Sequence, residues 1–167
     1  NFERYAFISL AMSIFIELNY FFRSAADGPS IKTSRCYYFF HVVIIFVFSE
    51  FRKYFNRHKV GGRYFVDLPL GSSQYHIVLT ITKEQAGAEI YINDNKELFK
   101  TLLGKKDVIE KELGFSMDWQ LLPEKKASCI VATIPADYTD VEGSKEIFKW
   151  YCEKAVGIKK TFPKYAE

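Results

Sequence analysis

Cysteine is scarce in this sequence and unpaired in its spacing. Cys36, Cys129 and Cys152 stand far apart. An odd number without a C-x-x-C spacing argues against a disulfide framework and a zinc site, and fits reduced thiols in a cytoplasmic protein. Neither sign of charge is in large excess. The formal net charge is +3, too small for the global basic field of a dedicated nucleic-acid binder, although a local patch is not excluded. The motifs G-x-x-x-x-G-K-[ST], G-x-G-x-x-G and H-E-x-x-H are all missing. Phosphate-loop, dinucleotide and zincin chemistry therefore have no support, and no small-molecule cofactor is expected. There is no internal repeat and no low-complexity tract.

What is present falls into two parts. The 167 residues suit one domain, or one domain with an appendage, and 17% of them are aromatic. The chain starts at Asn1 rather than Met, which reads as a piece of something longer. Residues 1–58 form an apolar segment, with "YAFISLAMSIFIELNYFF" (Tyr5 to Phe22) and "YYFFHVVIIFVF" (Tyr37 to Phe48). A membrane span needs about 20 apolar residues. The first run carries Glu17 and Asn19 near one end, and the second is too short. A buried pair of helices, or a helix and a strand, accounts for both equally well, and a membrane hairpin over residues 5–48 stays as a third reading. The run Ser49 to Arg63 is basic and ends at Gly61-Gly62.

Residues 59–167 read as an α+β domain. Val66 and Leu68 alternate with Asp67, and Tyr75, Ile77, Leu79 and Ile81 alternate with His76, Val78 and Thr80. Ala88, Ile90 and Ile92 alternate with Glu89 and Tyr91. Three such strands with short links predict an antiparallel meander, with "KEQAG" as a loop. A helix follows. Asp94 and Glu97 resemble a capping box, Leu98, Leu102, Ile109 and Leu113 form a stripe beside Phe99, and Gly114 sits at the stop. Gly104 is a weak spot that kinks its middle. "SMDWQLL" and "SCIVATI" predict a hairpin around Pro123 to Lys126. A last helix is expected from Ser144 to Gly157, followed by "KKTFPKYAE" as a basic tail. The order is αβββαββα: a mostly antiparallel sheet with a crossover helix, packed by helices.

That order is compatible with a restriction-nuclease-like core, which holds Mg²⁺ between an Asp and a Glu on successive strands and places a Lys two residues after the Glu. The candidates are Asp67 and Glu89. The position two after Glu89 is Tyr91, so the lysine is missing unless Lys83 or Lys96 reaches in. Mg²⁺ is implied only under this nuclease alternative. Otherwise no metal site is expected. His41 reads as a core histidine and His76 as a surface one, and nothing in the spacing joins a cysteine to a histidine. Lys105, Lys106, Lys125 and Lys126 are the candidate nucleic-acid contacts, with Trp119 and Tyr91 as nearby rings. Weighed against this, Trp119 alternates with Met117 and Leu121 as a core residue would, and lysine pairs commonly just solvate a face.

The stretch from Ala88 to Tyr138, with the segment from Gly71 before it, resembles a bacterial and archaeal family of uncharacterised domains. That family carries an ordered set: a strand here spanning Glu89 to Ile92, a helix from Glu97 to Gly114 with Ile109-Glu110, the stretch Trp119 to Ile130, and a closing helix with Trp150. The match covers about residues 62–160. The family has no agreed catalytic residues. Its members often stand at the C-terminus of larger proteins whose N-terminal parts resemble restriction or repair nucleases. The resemblance thus implies a non-catalytic accessory domain of a DNA-processing or defence-type protein, with DNA or a nuclease domain as partner. Enzymatic activity is left open, with a non-enzyme favoured.

Overall fold

The computed structural model describes residues 65–137 and 144–166. The apolar segment 1–58, the membrane hairpin over 5–48, the basic run, Cys36, His41 and His58 lie outside the described residues. Among the described residues, no helix is long and apolar enough to cross a membrane.

The described chain is α+β, as its periodicities predict. Three strands come first: β1 (Phe65–Pro69), β2 (Tyr75–Ile81) and β3 (Gln85–Ile92). Two short helices follow, α1 (Lys96–Leu103) and α2 (Lys106–Leu113). Then come β4 (Asp118–Gln120), β5 (Ser128–Pro135), α3 (Ser144–Thr161) and a 3₁₀ turn over Phe162–Lys164. The sheet order is β1-β2-β3-β5-β4, and every neighbouring pair is antiparallel.

Alternation fixes what each strand shows to each side. Val66, Leu68, Ile77, Leu79, Ala88, Ile90, Ile130 and Ala132 pair across the strands and share one face. The helices cover that face, and these residues join Phe99, Leu102, Ile109, Ile147, Phe148, Tyr151, Ile158 and Phe162 in one core. Burying a large apolar side chain there contributes roughly 1.5–3 kcal/mol.

Five local expectations need correction. The link between β2 and β3 is shorter than "KEQAG", because Thr82 closes the turn: its Oγ1 accepts from the Glu84 and Gln85 N–H groups, and β3 starts at Gln85. Gly87 therefore lies inside β3, facing Thr133 and Thr80. The crossover helix is two helices, since Gly104 costs helical stability and Lys105 leaves helical geometry at φ −109°, ψ 11°. Its cap is Asn95, whose Oδ1 accepts from Leu98 N–H at 2.9 Å, rather than Asp94. The last helix runs through Gly157 to Thr161, because Ile158 and Phe162 are wholly buried. The expected tail is docked: Glu112 on α2 accepts from Lys164, from Thr161 Oγ1 and from the Tyr165 hydroxyl at 2.7 Å. Those bonds, Lys164 first and Tyr165 next, hold the Glu112 carboxyl below its ordinary range.

The β4–β5 hairpin is locked to the crossover by two polar clamps. The Lys96 ammonium, at the start of α1, donates to the carbonyls of Leu121, Leu122 and Ala127 and to Ser128 Oγ. Leu122 stands at φ 51°, a left-handed conformation that a non-glycine residue adopts at a cost, and Lys96 holds its carbonyl there. In the second clamp, Glu110 Oε1 accepts from Met117 N–H at 2.9 Å and Trp119 Nε1–H at 2.8 Å. Burial pushes this carboxyl up, but the two bonds, with Lys106 and Ser116, outweigh it and lower it overall.

Candidate functional site

The other face of the sheet carries the residues that alternation turned away from the helices. Strand register arranges them in rows. One row holds Asp67, Val78, Glu89, Val131 and Asp118 in neighbouring positions. The next holds Pro69, His76, Tyr91, Cys129 and Gln120. Phe65, Thr80, Gly87 and Thr133 form a third.

A concavity of about 380 Å³ opens among these rows, lined by Phe65, Asp67, His76, Val78, Thr80, Glu89 and Tyr91. Val78 is its buried floor, between the two carboxylates. Gly87 shapes one wall. A Cβ there would come within 2.5 Å of Thr80 Oγ1, so the missing side chain is what lets the threonine hydroxyl settle over the strand. The His76 and Tyr91 rings lie 5.3 Å apart, tilted at 40°. His76 Nε2 is 3.5 Å from Asp67 Oδ1, with both side chains partly exposed.

Glu89 is the chemically distinctive group. It is half-buried, and no hydrogen bond or ion pair compensates it among the described residues. Burial first, and the charge of Asp67 second, push its carboxyl above the ordinary value of 4.5. A desolvated carboxylate beside a second one is a costly arrangement of the sort that marks functional sites.

The structure thus brings Asp67 and Glu89 together on one concavity, and it adds His76 and Tyr91, which sequence reasoning did not group with them. Their alternation put His76 and Tyr91 opposite the core residues, but only the register between β2 and β3 makes them neighbours. Among the described residues it brings no lysine to them. Lys83 sits in the β2–β3 turn, about 20 Å along the strand from Glu89 at roughly 3.4 Å per residue. Lys96 is held by the hairpin carbonyls. Among the described residues, no three His, Cys, Asp or Glu side chains are arranged to hold a metal ion. Cys129 is separated from His76 by Tyr91 within their row. Its thiol is pushed up to about 11 by burial and then by Glu89, so it is a poor nucleophile at neutral pH.

The four candidate lysines form two groups, not one. Lys105 and Lys106 lie at the junction of α1 and α2, while Lys125 and Lys126 lie in the exposed turn between β4 and β5. Lys126 pairs with Asp94, just before α1, at 3.7 Å, so the two pairs sit near opposite ends of α1. Lys105 Nζ donates to the Tyr165 carbonyl at 3.2 Å. Trp119 is partly buried against Phe99, with centroids 6.1 Å apart, as a core residue would be.

No curated protein and no solved structure matches the chain. A protein-family model does, over residues 35–166. That is most of the sequence, and it spans both the helix-covered core and the face that the described helices leave uncovered. The chain belongs to the family described as Domain of unknown function (DUF4268).

Proposed function

We propose that this is a non-catalytic accessory domain of a DNA-processing or defence-type protein, and that it engages a nuclease domain through the open sheet face rather than DNA through its lysines. The observation that carries this reading is the row Asp67–Val78–Glu89–Val131–Asp118 on the side of the sheet that the described helices leave uncovered. Three carboxylates in one row repel phosphate, whereas a protein surface of opposite sign complements them. Lys105, Lys126 and Lys164 are spent on the Tyr165 carbonyl, Asp94 and Glu112, and the described residues contain no arginine, the residue best suited to bidentate base or phosphate contacts. The resemblance to domains that follow nuclease-like regions supplies the class of partner.

The test uses the full-length protein. A photo-crosslinking residue replaces Val131 in one variant and Lys125 in another. The expected adduct at position 131 is a polypeptide, resistant to nucleases and identified by mass spectrometry as a nuclease domain. In parallel, Lys125→Glu/Lys126→Glu changes affinity for a 30-bp duplex less than about twofold. A tenfold loss with a steep salt slope moves the function to the lysine turn and overturns the reading.

A second reading, a Mg²⁺-dependent nuclease, is favoured by one observation: Asp67 and Glu89 flank the same concavity. It requires Mg²⁺- or Mn²⁺-dependent cleavage of plasmid or single-stranded DNA that disappears in Glu89→Gln. Uncut substrates dispose of it.

A further inference from the structure

Resting on the partner-binding reading, we infer that the concavity between Asp67 and Glu89 is a guanidinium pocket that takes an arginine side chain of the protein partner. Sign comes first. Its two carboxylates stand on either side of Val78, and among the described residues the lining contains no lysine or arginine, its one basic group being His76, 3.5 Å from Asp67. Glu89 gives up hydration without gaining a partner among the described residues. A cation seated against it removes that penalty.

Shape then selects among cations. Asp67 and Glu89 lie on β1 and β3 with β2 between them, so their backbones are roughly 10 Å apart at about 4.8 Å per strand. A divalent metal gathers six or more oxygens within about 2.6 Å, which two carboxylates across an apolar floor do not offer. An ammonium is a compact, strongly hydrated point charge. A guanidinium is planar, weakly hydrated and forked. It bridges acceptors set apart, lays its plane on an aromatic ring and its methylenes on apolar surface. The site offers those surfaces: the ring of Tyr91, the Val78 floor, and Thr80, whose hydroxyl Gly87 accommodates. A volume of about 380 Å³ lies within the ordinary range for side-chain and small-ligand pockets.

The intact protein is titrated with N-acetyl-arginine methylamide and observed through the ligand by saturation-transfer NMR. N-acetyl-citrulline methylamide, neutral and of the same shape, is the control. The expected result is saturable transfer to the arginine methylenes in the low-millimolar range, little to citrulline, and at least fivefold weaker binding in Glu89→Gln and Asp67→Asn. Lys125→Glu/Lys126→Glu leaves it unchanged. Unfolding temperatures of the variants establish that they remain folded. Equal transfer to citrulline, no transfer at all, or unchanged binding in Glu89→Gln overturns the inference. So does displacement of the arginine probe by 5 mM MgCl₂ but not by NaCl of equal ionic strength, which assigns the site to a metal. If the arginine probe binds while position 131 gives no polypeptide adduct, the docking reading falls alone. If the adduct survives and Glu89→Gln alters nothing, the pocket falls alone.

Discussion

On the helix side of β3, Ala86, Ala88, Ile90 and Ile92 have lost all contact with water, whereas on the opposite side of the same strand Glu89 and Tyr91 keep part of theirs. The helix side is apolar, continuous across four strands and sealed by α1, α2 and α3. The open side places carboxylates, a histidine and aromatic rings around a shallow concavity. One strand thus serves two ends. Its even-numbered residues hold the fold together, and Glu89 and Tyr91 turn to the face that the described helices leave uncovered. The family's ordered set of motifs divides the same way. Glu110, Trp119, Leu122, Ala127 and Ser128 take part in the clamps that fasten the hairpin to the crossover, and Glu89 with Tyr91 belongs to the open face.

That contrast can be broken most forcefully at the sealed side. Phe162 is fully buried, with its ring 5.7 Å from that of Tyr75. Phe162→Ala is expected to cost about 3–5 kcal/mol in urea unfolding, a cavity-forming loss. A cost below about 1 kcal/mol would mean that the expected tail is not docked after all. Lys96→Met comes next. It keeps the stem but strips the donor from three carbonyls and a hydroxyl, for a loss of roughly 2–3 kcal/mol, read in the same unfolding experiment. Gly157→Ala runs the other way. A Cβ there meets Phe115 and Leu113 at 3.7 and 3.8 Å, ordinary contact distances, and alanine outperforms glycine inside a helix. The midpoint should rise by the equivalent of about 0.5–1 kcal/mol.

The smallest effect, and the one that sharpens the contrast, belongs to the open side. Burial and Asp67 raise the Glu89 carboxyl above 4.5, so the native state holds that proton more tightly than the unfolded chain. Ionised Glu89 therefore subtracts stability. The penalty is complete above the raised value and vanishes below 4.5. Glu89→Gln is expected to raise the Tm at pH 7 by roughly a few degrees or less, and the gain should fade as the pH drops to 4. A Tm that falls at pH 7 would show that Glu89 already has a compensating cation in the folded protein.

Much of the fold was legible because each element carries its own period. Tyr75 to Ile81 alternates at period two, and Phe99, Leu102 and Ile109 recur at helical spacing, so strands, crossover and hairpin follow from local pattern. The cap at Asn95 rather than Asp94, and the helix that passes through Gly157, were not legible. Both depend on which hydrogen bonds and burial the neighbouring elements supply. The candidate site was half legible. Asp67 and Glu89 were singled out by residue type, while His76 read as an ordinary surface residue.

By itself, the sequence determined the α+β class, the order of elements and which residues of each strand turn from the core, since these follow from side-chain alternation within a few residues. Only the tertiary structure decided that β5 lies between β3 and β4, that Asp67 and Glu89 flank one concavity with His76 and Tyr91, and that the lysine pairs stand apart at the two ends of α1. Strand register and helix docking set these distances. Both are long-range choices, made by the burial of a shared core rather than by any single segment.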